Sequence, residues 1–232
     1  MKLTLIGLPL GNYEDISIRA VKALDLADLI ICEDSRVFYK LWAKLMHQSI
    51  LNHKYLGKLR VINEFNEKTQ AASLITDIDA ATFPLLVSDA GMPTVSDPGF
   101  SLVNALLSSG GEIDIIPGPT AAMSALAASG FSSDRVLFVG FLPKKLVKRD
   151  KVWAMAKAAS VDGGLTLIIY EAPNRVLETL KEAVDKIGDT PMVLARELTK
   201  EHQQILRGHI STLIIQISEK PPKGEVVLLF RL

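Results

Sequence analysis

The residues that could do chemistry gather where apolar runs stop. Leu85 to Val87 breaks into Ser88-Asp89-Ala90-Gly91-Met92-Pro93, and Ser96-Asp97-Pro98-Gly99 follows before a helical pattern begins at Phe100. Gly91 lets a backbone approach a ligand closely, and Pro93 and Pro98 stiffen the loop. Asp97-Pro98 also reads as the N-cap and first residue of the next helix. Asp89-Ala90-Gly91 has no helix to cap. Two further strand ends have the same character, Gly7-Leu8-Pro9-Leu10-Gly11-Asn12 and Pro117-Gly118-Pro119-Thr120-Ala121. In a parallel sheet such ends share one edge, where small molecules bind. Three of them would make a cleft lined by main-chain N–H and C=O groups. The acidic candidates are Glu33-Asp34 after the second apolar run, Asp89, Asp97, Glu171 and Glu197. Two carboxylates at a cleft edge can orient or deprotonate a hydroxyl. Each can equally be a helix cap or a solvated loop residue.

Positive charge is clustered. Arg36, Lys40, Lys44, Lys54, Lys58 and Arg60 occur with no intervening Asp or Glu, interleaved with Phe38, Tyr39, Trp42 and Tyr55. Lys144, Lys145, Lys148, Arg149 and Lys151 form a second cluster, offset by Asp150. Faces of this kind meet a phosphate backbone, or they are simply solvated. The first loop is not G-x-G-x-x-G, and the chain has neither a Walker-type phosphate loop nor G-x-S-x-G, which argues against dinucleotide, nucleotidase and serine hydrolase sites. His47, His53, His202 and His209 show no metal spacing and read as surface residues, so no metal is expected.

These loops need a sheet to hold them. The chain has 232 residues, 48% hydrophobic, with 26 basic and 26 acidic side chains, enough for one large domain or two small ones. The zero net charge leaves any basic surface local. Cys32 is the one cysteine, in the apolar run Leu29 to Cys32, and reads as a small buried hydrophobe. No run is long enough to span a membrane, so a cytoplasmic protein is expected. Strands are expected at Lys2–Leu8, Leu29–Cys32, Val61–Ile62, Leu85–Val87 and Ile113–Ile116. Helices alternate with them, near residues 16–27, 37–46, 66–80 and 100–109. That alternation predicts a parallel sheet with right-handed crossovers. After helix Ala121–Ser129 the order restarts. Strands are expected at Val136–Phe141, Leu165–Tyr170, Met192–Arg196, Gln203–Arg207 and Glu225–Leu232, and helices at Lys144–Ala158, Asn174–Ile187 and Ile210–Ile217. Pro117-Gly118-Pro119 is the stiffest short connector, which predicts α/β domains at 1–117 and 118–232.

Leu8-Pro9-Leu10-Gly11-Asn12-Tyr13-Glu14-Asp15, Glu33-Asp34-Ser35-Arg36, Asn63-Glu64-Phe65-Asn66-Glu67, Ser88 to Gly99, Pro117 to Ala121, Gly140-Phe141-Leu142-Pro143, Tyr170-Glu171-Ala172-Pro173-Asn174-Arg175 and Ala195-Arg196-Glu197-Leu198-Thr199-Lys200 form one set. It resembles the ribosomal RNA small subunit methyltransferase I family of the tetrapyrrole methylase superfamily over nearly the whole chain. The resemblance implies a two-domain α/β fold, with a mainly parallel sheet in the N-terminal domain and a mixed one in the C-terminal domain. It implies a homodimer with S-adenosylmethionine in the cleft between domains. The implied reaction is methyl transfer to a cytidine ribose 2′-hydroxyl of small-subunit ribosomal RNA, free or in the small ribosomal subunit. Pro9, Asp89, Gly91, Met92, Pro93, Thr120, Ala121, Tyr170, Glu171 and Ala172 are the implied cofactor residues. Glu33, Asp34 or Glu197 is expected to orient the hydroxyl or accept its proton. Arg36, Lys40, Lys44, Asn66, Arg196 and Lys200 are expected to contact RNA. The sequence departs from the family pattern at Met92, where Thr is usual, and at Asn63 and Phe65, where the family has His. The basic segment Met46 to Lys58 looks longer than usual, and a C-terminal extension carried by many members is expected to be missing after Leu232. A methylase acting on a tetrapyrrole or similar ring, and a catalytically silent cofactor-binding module, are the alternatives.

Overall fold

A computed structural model describes residues 1–51, 55, 57–160 and 163–232, so the histidine His53 and, from the first basic cluster, Lys54 lie outside the described residues. The chain divides into two compact units, Met1–Thr120 and Ala121–Leu232. The first alternates strand and helix: β1 (Lys2–Ile6), α1 (Ile18–Leu26), β2 (Leu29–Cys32), α2 (Ser35–His47), β3 (Lys58–Val61), α3 (Glu67–Ala80), β4 (Pro84–Val87), α4 (Phe100–Ser108) and β5 (Glu112–Ile116). Its sheet runs β3-β2-β4-β1-β5, and every strand pair is parallel. Every residue of β2 and β4 is buried, as strands covered on both faces must be.

The period of two decides which residue packs where. Leu85 and Val87 face one core with Ala23 and Leu24 of α1 and Phe38, Trp42 and Leu45 of α2. Leu86 faces the other, with Leu74 and Ile78 of α3 and Leu102 and Leu106 of α4. Cys32 is buried in the first of these cores, as expected of a small hydrophobe.

The second unit contains α5 (Ala121–Ser129), β6 (Arg135–Phe141), α6 (Leu146–Ala159), β7 (Leu165–Glu171), α7 (Val176–Ile187), β8 (Pro191–Arg196), β9 (Gln204–His209), α8 (Ile210–Glu219) and β10 (Val226–Arg231). Its sheet runs β6-β7-β10-β8-β9. Only β6 and β7 are parallel, so the sheet is mixed, in agreement with the fold class the resemblance implied. Among the described residues no helix is long and apolar enough to cross a membrane.

Several local expectations are corrected. β1 ends at Ile6, because Leu8 leaves the sheet to bridge Gly91 in a loop. The third strand is Lys58–Val61 rather than Val61–Ile62. Pro173–Arg175 forms a separate 3-10 turn, so α7 starts at Val176. Asp97 does not cap α4. The N-cap is Gly99, at φ +120°, a conformation that side chains rarely adopt. The opening amides of α4 are met instead by a distant residue: the Glu67 carboxylate at the start of α3 accepts from the Gly99 N–H at 3.2 Å and from the Ser101 N–H.

The basic clusters are also reduced by tertiary pairing. Asp77 of α3 pairs with Lys58 and with Arg60 Nε, the latter at 2.6 Å. Arg149 is not on a surface at all, being 2% exposed. It shares a helix face with buried Trp153 and Ala156, four and seven residues on. By contrast His47, His202 and His209 are exposed, as expected.

Because the Glu67 carboxylate substitutes for a cap, Glu67→Ala is expected to cost about 1–2 kcal/mol. Urea unfolding of the variant beside the parent measures this.

Candidate active site

The carboxyl ends of β1, β4 and β5 carry the three glycine-bearing loops, and the structure ties them together. Leu8 N–H donates to the Gly91 carbonyl at 2.8 Å, and Gly91 N–H returns to the Leu8 carbonyl at 3.0 Å. Gly7 N–H reaches the Ile116 carbonyl at 3.0 Å. Ser88, buried, turns its hydroxyl to the Ala90 and Gly91 carbonyls at 3.1 and 3.3 Å. The glycines are required by space. A Cβ on Gly7 would stand 2.6 Å from the Gly118 backbone, and one on Gly118 would stand 2.6 Å from the Gly7 carbonyl carbon. Met92 fills the remaining gap, with its sulfur accepting from Gly118 N–H at 3.3 Å. Gly91 adopts φ +75°, which explains glycine there. Pro9 and Pro93 are buried within this knot.

One strand over, β2 delivers Glu33 and Asp34 to the same edge. Asp34 is the N-cap of α2, accepting from Arg36 N–H at 2.8 Å, and Arg36 Nε binds the same carboxylate at 3.0 Å. The Arg36 hydrogen bonds hold its pKa down to about 2. Asp89 reaches across from the β4 loop to accept from Asp34 N–H at 3.2 Å. Glu33 and Asp89 have the opposite electrostatics. Burial raises the Glu33 pKa first, and the nearby charges of Asp89, Glu64 and Asp34 add to it, with the Asp89 amide offsetting part. Burial likewise raises Asp89, and the charge of Asp34 adds to it. Burial pushes the adjacent Cys32 thiol up to about 12, so it is a packing residue rather than a nucleophile.

Arg36, Lys40 and Lys44 are spaced four apart on α2 and all are exposed, so they line one helical face. Asn66 is a turn staple. Its Oδ1 accepts from Asn63 N–H at 2.8 Å and its Nδ2 donates to the Val61 carbonyl at 3.2 Å.

In the second unit, the Tyr170 hydroxyl accepts from Ala122 N–H at 3.0 Å at the start of α5. Its ring stands edge-on to Phe138 and Phe141, with centroids 5.0 and 5.6 Å away. Ala121 and the Tyr170–Ala172 segment are thereby brought together. The Glu171 side chain is buried, and its carboxylate accepts from Ala172 N–H at 2.9 Å and Thr179 Oγ1 at 2.7 Å.

At the end of β8, Glu197 and Thr199 hold φ of +49° and +65°, left-handed values uncommon for such residues. Glu197 Oε1 accepts from Glu225 N–H at 3.0 Å and Lys200 Nζ at 3.1 Å. Burial alone would raise its pKa, but the Glu225 amide and Lys200 outweigh that and lower it. Lys200 also binds Glu225 Oε2 at 3.0 Å, and Arg196 donates to Gln204 Oε1 at 2.9 Å and the Lys223 carbonyl at 3.2 Å.

The carboxylates named from sequence therefore separate by environment. Asp34 and Glu197 each have a cation and low pKa values, whereas Glu33 is half-buried, faces Asp89 and is the better proton acceptor. Sequence reasoning did not pair Glu33 with Asp89, since the pairing depends on β2 lying beside β4. Thr179 and buried Arg149 were also missed, although the spacing of Arg149 with Trp153 and Ala156 carries a signal. Among the described residues no group of three or more His, Cys, Asp or Glu side chains could hold a metal ion.

Comparison with known proteins places this geometry among methylases. Residues 2–214 match the family model described as Tetrapyrrole (Corrin/Porphyrin) Methylases. The chain is 38% identical over 229 residues to Ribosomal RNA small subunit methyltransferase I of Thermotoga maritima, covering 98% of this chain and 96% of that one. It is 36% identical to the protein of the same name from Rickettsia prowazekii, covering 98% and 77%. Among solved structures, the methyltransferase CobJ has a TM-score of 0.72 at 18% identity, covering 99% of this chain and 93% of that one. A uroporphyrin-III C-methyltransferase from Thermus thermophilus complexed with S-adenosylhomocysteine has a TM-score of 0.66 at 16% identity, covering 99% and 97%. At those identities the likeness is one of fold.

The Glu33–Asp89 electrostatics make a test of their own. Both folded-state pKa values lie above the ordinary carboxylate value, so the folded protein binds more protons than the unfolded chain across that interval. Their contribution to stability is most favourable below the ordinary value and is lost as pH rises through the raised one. Glu33→Gln and Asp89→Asn are each expected to be more stable than the parent at pH 7 and to lose that advantage near pH 4. Urea midpoints at the two pH values check it.

Proposed function

The chain belongs to the tetrapyrrole methylase family, and we propose that it is an S-adenosylmethionine-dependent methyltransferase acting on small-subunit ribosomal RNA, at the 2′-hydroxyl of a cytidine. The observation that carries the acceptor is the match, along nearly the whole chain, to relatives named as small-subunit ribosomal RNA methyltransferases. The observation that supports the cofactor is the arrangement of the first unit's sheet edge. Glycines packed without room for a Cβ fix the three loop backbones there, and the half-buried carboxyl groups of Glu33 and Asp89 lie at the same edge. S-adenosylmethionine, when bound, supplies an activated methyl group on a positively charged sulfur. In the first unit Pro9, Asp89, Gly91, Met92, Pro93 and Thr120 are the residues proposed to contact it. In the second unit the residues proposed for cofactor contact are Ala121, Tyr170 and Ala172, with buried Glu171 holding the Ala172 amide.

The protein's own contribution is alignment and proton removal. A ribose hydroxyl is a poor nucleophile, so its proton must leave as the new bond to oxygen forms. Glu33 accepts it, because burial and the Asp89 charge make its carboxylate the most basic of the three candidates. Asp34, bound to Arg36, fixes the start of α2 and holds Glu33 in place rather than titrating. Arg36, Lys40 and Lys44 present a basic face to RNA phosphates, with Asn66 shaping the neighbouring turn. The Arg196 guanidinium and the Lys200 ammonium retain N–H donors beyond their internal bonds, and those would reach phosphate. A homodimer belongs to the same proposal. Phe141, Leu146 and Val147 stand exposed around the start of α6, an apolar surface of the kind a second copy covers. A cytoplasmic location follows from the same proposal, since that is where a ribosomal substrate would be met.

Small ribosomal subunits from a strain lacking this methylation, incubated with S-adenosylmethionine carrying a labelled methyl group, are expected to acquire label on a 2′-O-methylated cytidine. Glu33→Gln is expected to lower kcat by about 10²–10⁴-fold with a smaller change in KM. Label on a porphyrin precursor and none on RNA would support a ring methylase, and cofactor binding with no acceptor would support a silent module. Lys40→Ala and Lys44→Ala should each weaken RNA binding and flatten its log–log salt dependence by about 0.7–1. Filter binding between low and moderate salt measures the slope.

A further inference from the structure

Unit two buries a charged network that the reaction scheme does not use. Glu171, Thr179 and Arg149 are 1%, 0% and 2% exposed. Thr179 Oγ1 donates to Glu171 Oε2 at 2.7 Å, and Arg149 donates to Thr179 Oγ1 at 3.2 Å. Arg149 continues to Glu182, with Glu178 at 3.6 Å, and Glu182 Oε1 accepts from Trp153 Nε1 at 2.8 Å. The other Glu171 oxygen, Oε1, takes the Ala172 N–H at 2.9 Å and meets Arg175 Nε at 3.4 Å. Arg175 in turn donates to the Leu142 carbonyl at 3.2 Å. One carboxylate thus ties α6 and α7 to the strand end at Tyr170–Ala172 and, through Arg175, to the loop after β6.

An all-apolar packing of α6 and α7 would bury this region at lower desolvation cost. Arg149 Nε is in fact left without a hydrogen-bond partner. What the charges add is direction: the Ala172 amide and the Tyr170–Ala172 backbone are held in one orientation by a side chain that cannot move independently of two helices. We infer that Thr179 and Arg149 are positioning residues, which act through Glu171 to fix the Tyr170–Ala172 main chain for the adenosylmethionine ligand. This rests on the cofactor reading above. It also gives the Arg175 of the Tyr170–Arg175 motif a role as an internal tie between two loops.

Titration calorimetry of the full chain with S-adenosylhomocysteine tests it, with thermal melts run in parallel. Thr179→Val keeps the side-chain shape and removes the hydroxyl, and it is expected to weaken binding about tenfold or more. Thr179→Ser restores the hydroxyl and is expected to bring affinity back to within about twofold of the parent. Arg175→Gln is the second variant, used if Thr179→Val fails to fold, and the same weakening is expected of it. A folded variant of either kind that binds as tightly as the parent, whether or not its melting temperature falls, overturns the inference and leaves the cofactor reading intact. A parent protein that does not bind S-adenosylhomocysteine overturns the cofactor reading, and this inference with it.

Discussion

The close approach of Gly7 to Gly118 is the constraint on which the first unit's edge depends. Two backbones meet with no room for a Cβ on either, and the Met92 sulfur closes the space beside them. The reciprocal Leu8–Gly91 bonds fix the third loop to the same place. Backbone packed this tightly cannot relax as loops ordinarily do, so its N–H and C=O groups are held in fixed directions before any ligand arrives. A parallel sheet makes this possible, because β1, β4 and β5 are adjacent and end together. The sheet's buried strands supply the stiffness and the glycines permit the close approach.

Charge is distributed on that edge so that neighbouring carboxylates do different work. Asp34 is held ionised by Arg36 and serves as a helix cap. Glu33 and Asp89, half-buried and close in charge, resist ionisation. Carboxyl groups whose pKa values are raised by burial and by each other are often found where proton transfer is needed. In the second unit the same logic appears in a buried form. There Glu171 is fully enclosed, and its bonds to Ala172, Thr179 and Arg175 turn a carboxylate into a structural joint.

The two basic clusters show how far composition misleads about surface charge. Lys58 and Arg60 belong to a stretch without acidic residues, yet Asp77 from α3 meets both. Arg149 belongs to a run of lysines, yet it points into the second core. Arg36, Lys40 and Lys44 stay exposed on α2, as do Lys144, Lys145, Lys148 and Lys151 at and before the first turns of α6.

The amino-acid sequence by itself determined the alternation of strands and helices, the parallel order of the first half, the three glycine-rich strand ends and the family motifs. These are local signals: runs of buried β-branched and leucine residues, helical spacing, and glycine or proline where a strand stops. Tertiary structure decided everything that depends on which strands are neighbours. It placed Asp89 beside Glu33, because β4 lies against β2. It gave the start of α4 to Glu67 in place of Asp97, because α3 and α4 pack on the same sheet face. It drew Arg149 inward to Glu182 and Thr179 on α7. Burial, not residue type, sets a carboxylate's pKa and an arginine's role, and burial is a property of the assembled fold.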